Sequence, residues 1–139
     1  MEFSLSADEY SPLVLAYMGD SVYEQYVRGR LVSCGNMPVG LLHRRATEFV
    51  SAPAQFEAAR YILPFLTPNE DRVFRRGRNA HHATVPKNAS VVHYRHATGF
   101  EALVGYLYIK GENDRLLHIL DLVYERLFGK ASGGEEYKV

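Results

Sequence analysis

Apolar residues recur along most of the chain at helical intervals, and no segment of useful length alternates apolar and polar residues with the two-residue period of a β-strand. The clearest stripe is Leu116, Leu120, Val123 and Leu127, at spacings of four, three and four residues. Residues 13–19, LVLAYMG, are apolar on every side, which predicts burial all round. The pattern predicts an all-α domain of about six helices.

Capping residues indicate where these helices begin and end. Ser11-Pro12 begins the first helix, and Gly35-Asn36 ends it near residue 34. Thr67-Pro68-Asn69-Glu70 is a capping box that begins a fourth helix, which we expect to fade at Gly77. The other helices are predicted from about residue 38, over 51–63, over 90–109 and over 113–128, with a loop over 79–89. Residues 1–129 are therefore assigned to one domain, and residues 130–139, which lose the apolar pattern, to a flexible tail.

Length and composition narrow the class of protein. The chain has 139 residues, a usual size for one domain, and one cysteine, Cys34, so no intrachain disulfide is expected. Its N-terminus carries acids and no basic residue, which does not fit a signal peptide. No apolar run reaches the roughly 18 residues that span a membrane. We expect a soluble, cytoplasmic protein without membrane association.

Basic residues are concentrated in one segment, although 16 basic and 16 acidic residues give a net charge of zero. Between residues 70 and 95 the only acids are Glu70 and Asp71. The basic residues there are Arg72, Arg75, Arg76, Arg78, Lys87 and Arg95, with His81, His82 and His93 in the same stretch. Neighbouring histidines on a loop seldom bind one ion, so no zinc site is predicted. The segment is a candidate surface for nucleic-acid phosphates.

Two carboxylates lie in apolar surroundings. Asp20 directly follows LVLAYMG, and Glu101 lies within GFEALVGYLYI. Burying an ionised carboxylate is costly unless the group is paired or bound to a metal. Each acid also has glycine within its helix, Gly19 in the first and Gly99 and Gly105 in the second. Close approach of another helix or of a ligand would explain why helix-weakening glycines stand there.

If these two helices pack together, their acids converge. Two carboxylates with open space between them suit Mg²⁺, which takes few protein ligands and keeps several waters. Such an ion can activate water and stabilise charge on a phosphate. The alternative is that Arg28 or Arg95 neutralises each buried acid, but two acids in matching contexts favour a metal site.

The sequence LAYMGDSV, residues 15–22, resembles the signature helix of the ribonuclease III family, in which Gly-Asp-(Ala/Ser)-Val follows an apolar run. FEALVG, residues 100–105, followed by YLY resembles the second acidic motif of that family. Order and separation also fit, and the resemblance covers about residues 9–128. It implies a ribonuclease III-like all-α fold in which Asp20 and Glu101 are the catalytic, metal-binding residues.

Two acids of the typical family site are replaced, because Ala16 and Thr98 stand where a glutamate and an aspartate are usual. Only a short tail follows residue 128, so we expect no double-stranded-RNA-binding domain. RGRNA at 76–80, PKN at 86–88 and YRHATGFEA at 94–102 resemble the Mini-ribonuclease III subgroup, a catalytic domain alone. That resemblance implies an endoribonuclease that cleaves double-stranded RNA and matures the 23S ribosomal RNA precursor.

The resemblance also implies how the parts act together. Asp20 and Glu101 would hold Mg²⁺, with Mn²⁺ as the alternative, and ordered waters would replace the missing acids. The signature helix would pack against its twofold mate in a homodimer with one active site per subunit. For Glu24, one turn beyond Asp20, a surface salt bridge is favoured over a supporting role. RNA binding is predicted for Arg72, Arg75, Arg76, Arg78, Asn79 and Lys87.

Two other interpretations stay open at this point. The main one is a catalytically inactive ribonuclease III fold that binds structured RNA, because Ala16 and Thr98 are not acids. The other is a helical protein-interaction domain with arginine-paired acids, which predicts no binding of divalent ions. A digest of duplex RNA with and without Mg²⁺ separates the enzyme from both.

Overall fold

The computed structural model describes residues 1–80 and 90–131, apart from the side chains of residues 130 and 131. Within these residues it has α-helices and short 3₁₀ helices but no β-strand, which confirms the all-α prediction. The helices are α1 (Pro12–Ser33), α2 (Val39–Val50), α3 (Ala52–Ile62), α4 (Pro68–Asn79), α5 (Val91–Lys110) and α6 (Asn113–Ala131). None of those described has the length and apolar character needed to cross a bilayer.

Hydroxyl caps fix several helix starts where the sequence predicts them. The Ser11 hydroxyl accepts a hydrogen bond from the backbone N–H of Val14 at the start of α1. Thr67 and Glu70 form both halves of the predicted capping box at the start of α4. At the other end of α5, Gly111 has a φ of 80°, a left-handed conformation that favours glycine as the residue that ends a helix.

α4 differs from its prediction at its C-terminal end. It continues to Asn79 instead of fading at Gly77, so Arg78 and Asn79 are helical residues. The glycine serves packing: a Cβ atom at Gly77 would lie 2.7 Å from the Cβ of Ala102 on α5. α6 likewise runs past residue 128 to Ala131. Residues 81–89 of the predicted loop and 132–139 of the predicted tail lie outside the described residues.

α5 is the central helix, and it packs against α1, α3, α4 and α6. Its residues from 97 to 107 are buried except for Glu101, which is half-buried. Phe100, Leu103 and Leu107 have no exposed surface at all. This position explains why the segment around Glu101 is apolar on every side.

The first half of α1 is less buried than its sequence predicts. Leu15 and Ala16 lie in the core, but Leu13, Val14 and Tyr17 are 38%, 48% and 83% exposed. The prediction of burial all round is therefore wrong for the single chain, because the other helices cover only one side of α1. Leu13, Val14 and Tyr17 form an exposed surface that we call the α1 apolar face.

Candidate active site

α1 and α5 approach so closely that their backbones meet at two glycines. A Cβ atom at Gly19 would lie 1.7 Å from the carbonyl oxygen of Glu101. One at Gly105 would lie 1.9 Å from the carbonyl oxygen of Leu15. No real Cβ atom tolerates such contacts, so neither position accepts a side chain unless the helices separate. The two glycines therefore bring Asp20 and Glu101 to one junction, as the sequence predicts.

The two carboxyl groups share one site and differ in exposure. Asp20 is exposed, whereas Glu101 is half-buried. Burial, and after it the neighbouring Asp20 carboxylate, raises the pKa of Glu101 to about 9, against an ordinary value near 4.5. A hydrogen bond from Gln55 on α3 acts in the opposite direction. At neutral pH, Glu101 therefore holds its proton unless a positive charge joins the site.

Neither of the arginines considered from the sequence, Arg28 and Arg95, supplies that positive charge. Arg28 pairs with Glu24, with 3.2 Å between Nη2 and Oε1, which is the surface salt bridge favoured for Glu24. Burial, Asp20 and Gln55 are what set the pKa of Glu101. Within the described part of the chain, the structure shows no ion pair between Arg95 and either acid. The junction thus keeps its acids unpaired with any described cation.

The oxygen groups at this junction fit a hard divalent cation. Besides the two carboxylates, the buried side chain of Gln55 lies there, and its Oε1 has no hydrogen-bond partner among the described residues. Oxygen ligands suit Mg²⁺, which needs few of them from the protein. Residues 1–80 and 90–131 contain no group of three or more His, Cys, Asp or Glu side chains able to hold a metal. The residues at the junction therefore fit a cation site that is held by two acids.

The positions of the two replaced acids contribute no ligand. Ala16 and Thr98 are both buried, 7% and 5% exposed. The Thr98 hydroxyl donates a hydrogen bond to the backbone carbonyl of Tyr94 at 3.1 Å, so it is used within its own helix. Any further oxygen at the site must come from other residues or from water.

The predicted RNA-binding residues fall into two groups. Two are held by acids: Arg72 by Asp8 at 3.7 Å and Arg75 by Asp71 at 2.7 Å. Arg76 is exposed, and among the described residues the structure shows no acid partner for it. Lys87 lies outside the described residues.

Arg78 and Asn79 belong to a surface pocket of about 280 Å³ between α4 and α5. The Nε of Arg78 donates to the Oδ1 of Asn79 at 3.2 Å. Val92, Arg95 and His96 of α5 line the same pocket. The sequence places Arg95 in the basic segment but predicts no RNA contact for it, because its approach to Arg78 depends on how α4 packs against α5.

Gln55, which lies beside Glu101, was not predicted from the sequence either. Its signal in the sequence is one amide in SAPAQFEAA, an alanine-rich helical stretch. The side chain is only 3% exposed, so the structure buries a polar group at a position where an apolar one would satisfy the helix.

Comparison with known proteins gives concordant matches over most of the chain. Residues 13–112 match the family model described as Ribonuclease III domain. A protein named Mini-ribonuclease 3 from Thermoanaerobacter sp. (strain X514) is 49% identical over 112 residues, 81% of this chain and 79% of that protein. Another, from Symbiobacterium thermophilum, is 49% identical over 109 residues, 78% and 84% of the two chains.

A solved structure has the same arrangement of helices. The X-ray crystal structure of protein FN1578 from Fusobacterium nucleatum matches with a TM-score of 0.77 and 26% sequence identity. The match covers 84% of this chain and 93% of that chain. The family match over residues 13–112 includes both Asp20 and Glu101.

Proposed function

Because the chain belongs to the Mini-ribonuclease III group of the ribonuclease III family, we propose that it is an endonuclease that cleaves double-stranded RNA with a divalent cation. Asp20 and Glu101 are the residues that would hold the cation, Mg²⁺ or Mn²⁺. The observation that carries the proposal is the convergence of these two unpaired acids at the α1–α5 junction.

The protein's own part in the reaction follows from this geometry. A divalent cation, when bound, lowers the pKa of coordinated water and neutralises charge on the phosphate. Asp20, being exposed, faces the side from which a phosphodiester can approach. Glu101 would release its proton to solvent on binding a divalent cation, because the positive charge would offset both its burial and the repulsion from Asp20.

The proposed natural substrate is the precursor of 23S ribosomal RNA, in the cytoplasm. Its support is the resemblance to Mini-ribonuclease III. Double-stranded RNA is recognised mainly through its shape, phosphates and 2′-hydroxyls, so basic side chains supply affinity without reading sequence. Arg76, Arg78, Asn79 and Lys87 are proposed for this role, together with Arg95, which shares the pocket of Arg78. Arg72 and Arg75 contribute less, since acids already hold them.

A homodimer is proposed on the α1 apolar face. Leu13, Val14 and Tyr17 are exposed although they lie beside the catalytic Asp20 on α1. Pairing of this face with a second copy would bury it and set two active sites on one duplex, one for each strand. We expect Tyr17→Glu to give a monomer in sedimentation. A wild-type chain that sediments as a stable monomer at working concentration contradicts the dimer.

The test of the enzyme is a digest of duplex RNA with and without Mg²⁺. We expect Asp20→Asn and Glu101→Gln each to lower the cleavage rate by about 100-fold or more, because losing even a group that only supports a metal ligand costs roughly 10- to 100-fold. Circular dichroism should show that both variants keep the fold. Glu24→Gln is the matched control, because Glu24 lies on the same helix but pairs with Arg28, and it should cleave normally.

Two results would contradict the proposal. Near-normal cleavage by both purified acid variants would remove Asp20 and Glu101 from the chemistry. A wild-type protein that binds duplex RNA but never cuts it, at any Mg²⁺ concentration, would support the inactive binding module instead.

A further inference from the structure

Gln55 is a buried amide whose two ends have different surroundings. Its Nε2 donates to the backbone carbonyl of Val50 at 3.0 Å and contacts Oε2 of Glu101 at 3.5 Å. Its Oε1 is fully buried and has no hydrogen-bond partner in the part of the chain that the structure describes. The whole side chain is 3% exposed, so bulk water does not supply the missing partner.

The orientation of this amide is fixed by its neighbours. The Val50 carbonyl can only accept a hydrogen bond, so rotating the amide would place the amide oxygen against another acceptor. The unpartnered oxygen is therefore a consequence of the site and not of a reversed amide. A buried acceptor left unsatisfied is costly, so the position favours a compensating donor or cation.

We infer that Gln55 is the third protein group of the metal site: Nε2 positions Glu101, and Oε1 would be the oxygen that Gln55 offers to the cation or to one of its waters. This inference rests on the proposed function. Asp20 and Glu101 are the two acids at the junction, and Ala16 and Thr98 offer no ligand. An amide oxygen is an acceptable ligand for hard cations and adds no further negative charge. Gln55 thus does part of the work of a missing acid.

The test is Mn²⁺ binding to the full chain without RNA, followed by electron paramagnetic resonance of the free ion. Gln55→Leu should weaken Mn²⁺ binding about tenfold or more, as loss of a supporting group at a metal site does. Gln55→Glu keeps the length and supplies an oxygen, so it should bind Mn²⁺ more tightly than Gln55→Leu does. A merely structural amide predicts no such advantage, because both variants lose the donor to Val50.

Asn69→Leu is the matched control for loss of a hydrogen-bonded amide. Asn69 donates to the hydroxyl of Tyr106, and it lies at the start of α4, whereas Gln55 contacts Glu101 from α3. This variant should bind Mn²⁺ like the wild type even if its thermal stability falls. In the RNA digest, Gln55→Leu should need more Mg²⁺ for half-maximal cleavage than Asn69→Leu needs.

The outcomes separate this inference from the proposed function. If Asp20→Asn abolishes Mn²⁺ binding while Gln55→Leu binds within twofold of wild type, the role of Gln55 is overturned and the metal site stands. If both variants bind like wild type, both claims fall. Should Gln55→Leu fail to fold, Gln55→Met, which keeps the length without the oxygen, takes its place: Mn²⁺ binding within twofold of wild type overturns the inference.

Discussion

At the α1–α5 junction, two helices meet backbone to backbone at Gly19 and Gly105, and each acid stands on one of these closely packed helices. The basic surface of α4 is built differently. Arg75 and Arg78 contact their own helix neighbours Asp71 and Asn79, at exposed or half-exposed positions. We infer that backbone packing fixes the positions of the two acids, whereas flexible arginine side chains on the surface supply affinity for the proposed duplex RNA substrate. Three experiments, each with a control, test that division in order of decreasing effect.

The junction should tolerate no added methyl group. Gly105→Ala places a Cβ atom 1.9 Å from the Leu15 carbonyl oxygen, so we expect it to lower the free energy of unfolding by about 3 kcal/mol or more, at the upper end for overpacked cores. Urea denaturation followed by circular dichroism measures this, and cleavage should fall with the loss of folded protein.

Gly29→Ala is the matched control within α1. Nothing lies within 4 Å of a Cβ atom at Gly29, so replacing glycine by alanine in this helix should raise the free energy of unfolding by about 0.5–1 kcal/mol. If Gly105→Ala is as stable as Gly29→Ala, the close contact between α1 and α5 is wrong.

A second test of the junction uses pH. Because the pKa of Glu101 is raised to about 9, the folded protein holds one more proton than the unfolded chain between about pH 4.5 and 9. The free energy of unfolding should therefore fall as pH rises through this range, in EDTA. From pH 6 to 8 we expect a fall of up to about 2 kcal/mol that Glu101→Gln lacks.

Denaturation of the wild type and Glu101→Gln at matched pH values measures the difference. Other titrating groups are common to both proteins, so they cancel in the comparison. Equal pH dependence in the two would show that Glu101 is not held protonated. Mg²⁺ should stabilise the wild type more at pH 8 than at pH 6, since it binds the ionised form.

The acid pair could be predicted because it breaks local rules. Asp20 and Glu101 interrupt apolar helices, and Gly19 and Gly105 weaken those helices. These residues therefore predict a compensating contact between the two helices. Gln55 breaks no such rule, because one glutamine in an alanine-rich helix is ordinary. Only the packing of α3 against α5 shows that it is buried beside Glu101.

Three other features could not be predicted from the sequence for the same reason, because each depends on how the helices pack. Gly77 has the sequence signal of a helix end, yet the helix continues through it to Asn79, and contact with Ala102 gives it a packing role. Arg72 meets Asp8 from the far N-terminus, and no local pattern predicts that pair. The α1 apolar face resembles a buried stretch because exposure depends on which helices cover it.

The weakest effect is expected on the basic surface. Replacing Arg76, Arg78 and Lys87 together by alanine should weaken binding of duplex RNA about tenfold at moderate salt. It should also flatten the dependence of log affinity on log salt, by somewhat less than one unit for each phosphate that the protein no longer neutralises. Measuring in the Glu101→Gln background keeps the RNA intact.

Arg75→Ala is the control: because Asp71 already holds that guanidinium, its salt slope should match the parent's. An unchanged slope in the triple variant would move RNA binding to another surface, and a large loss for Arg75→Ala would mean that its ion pair opens for RNA.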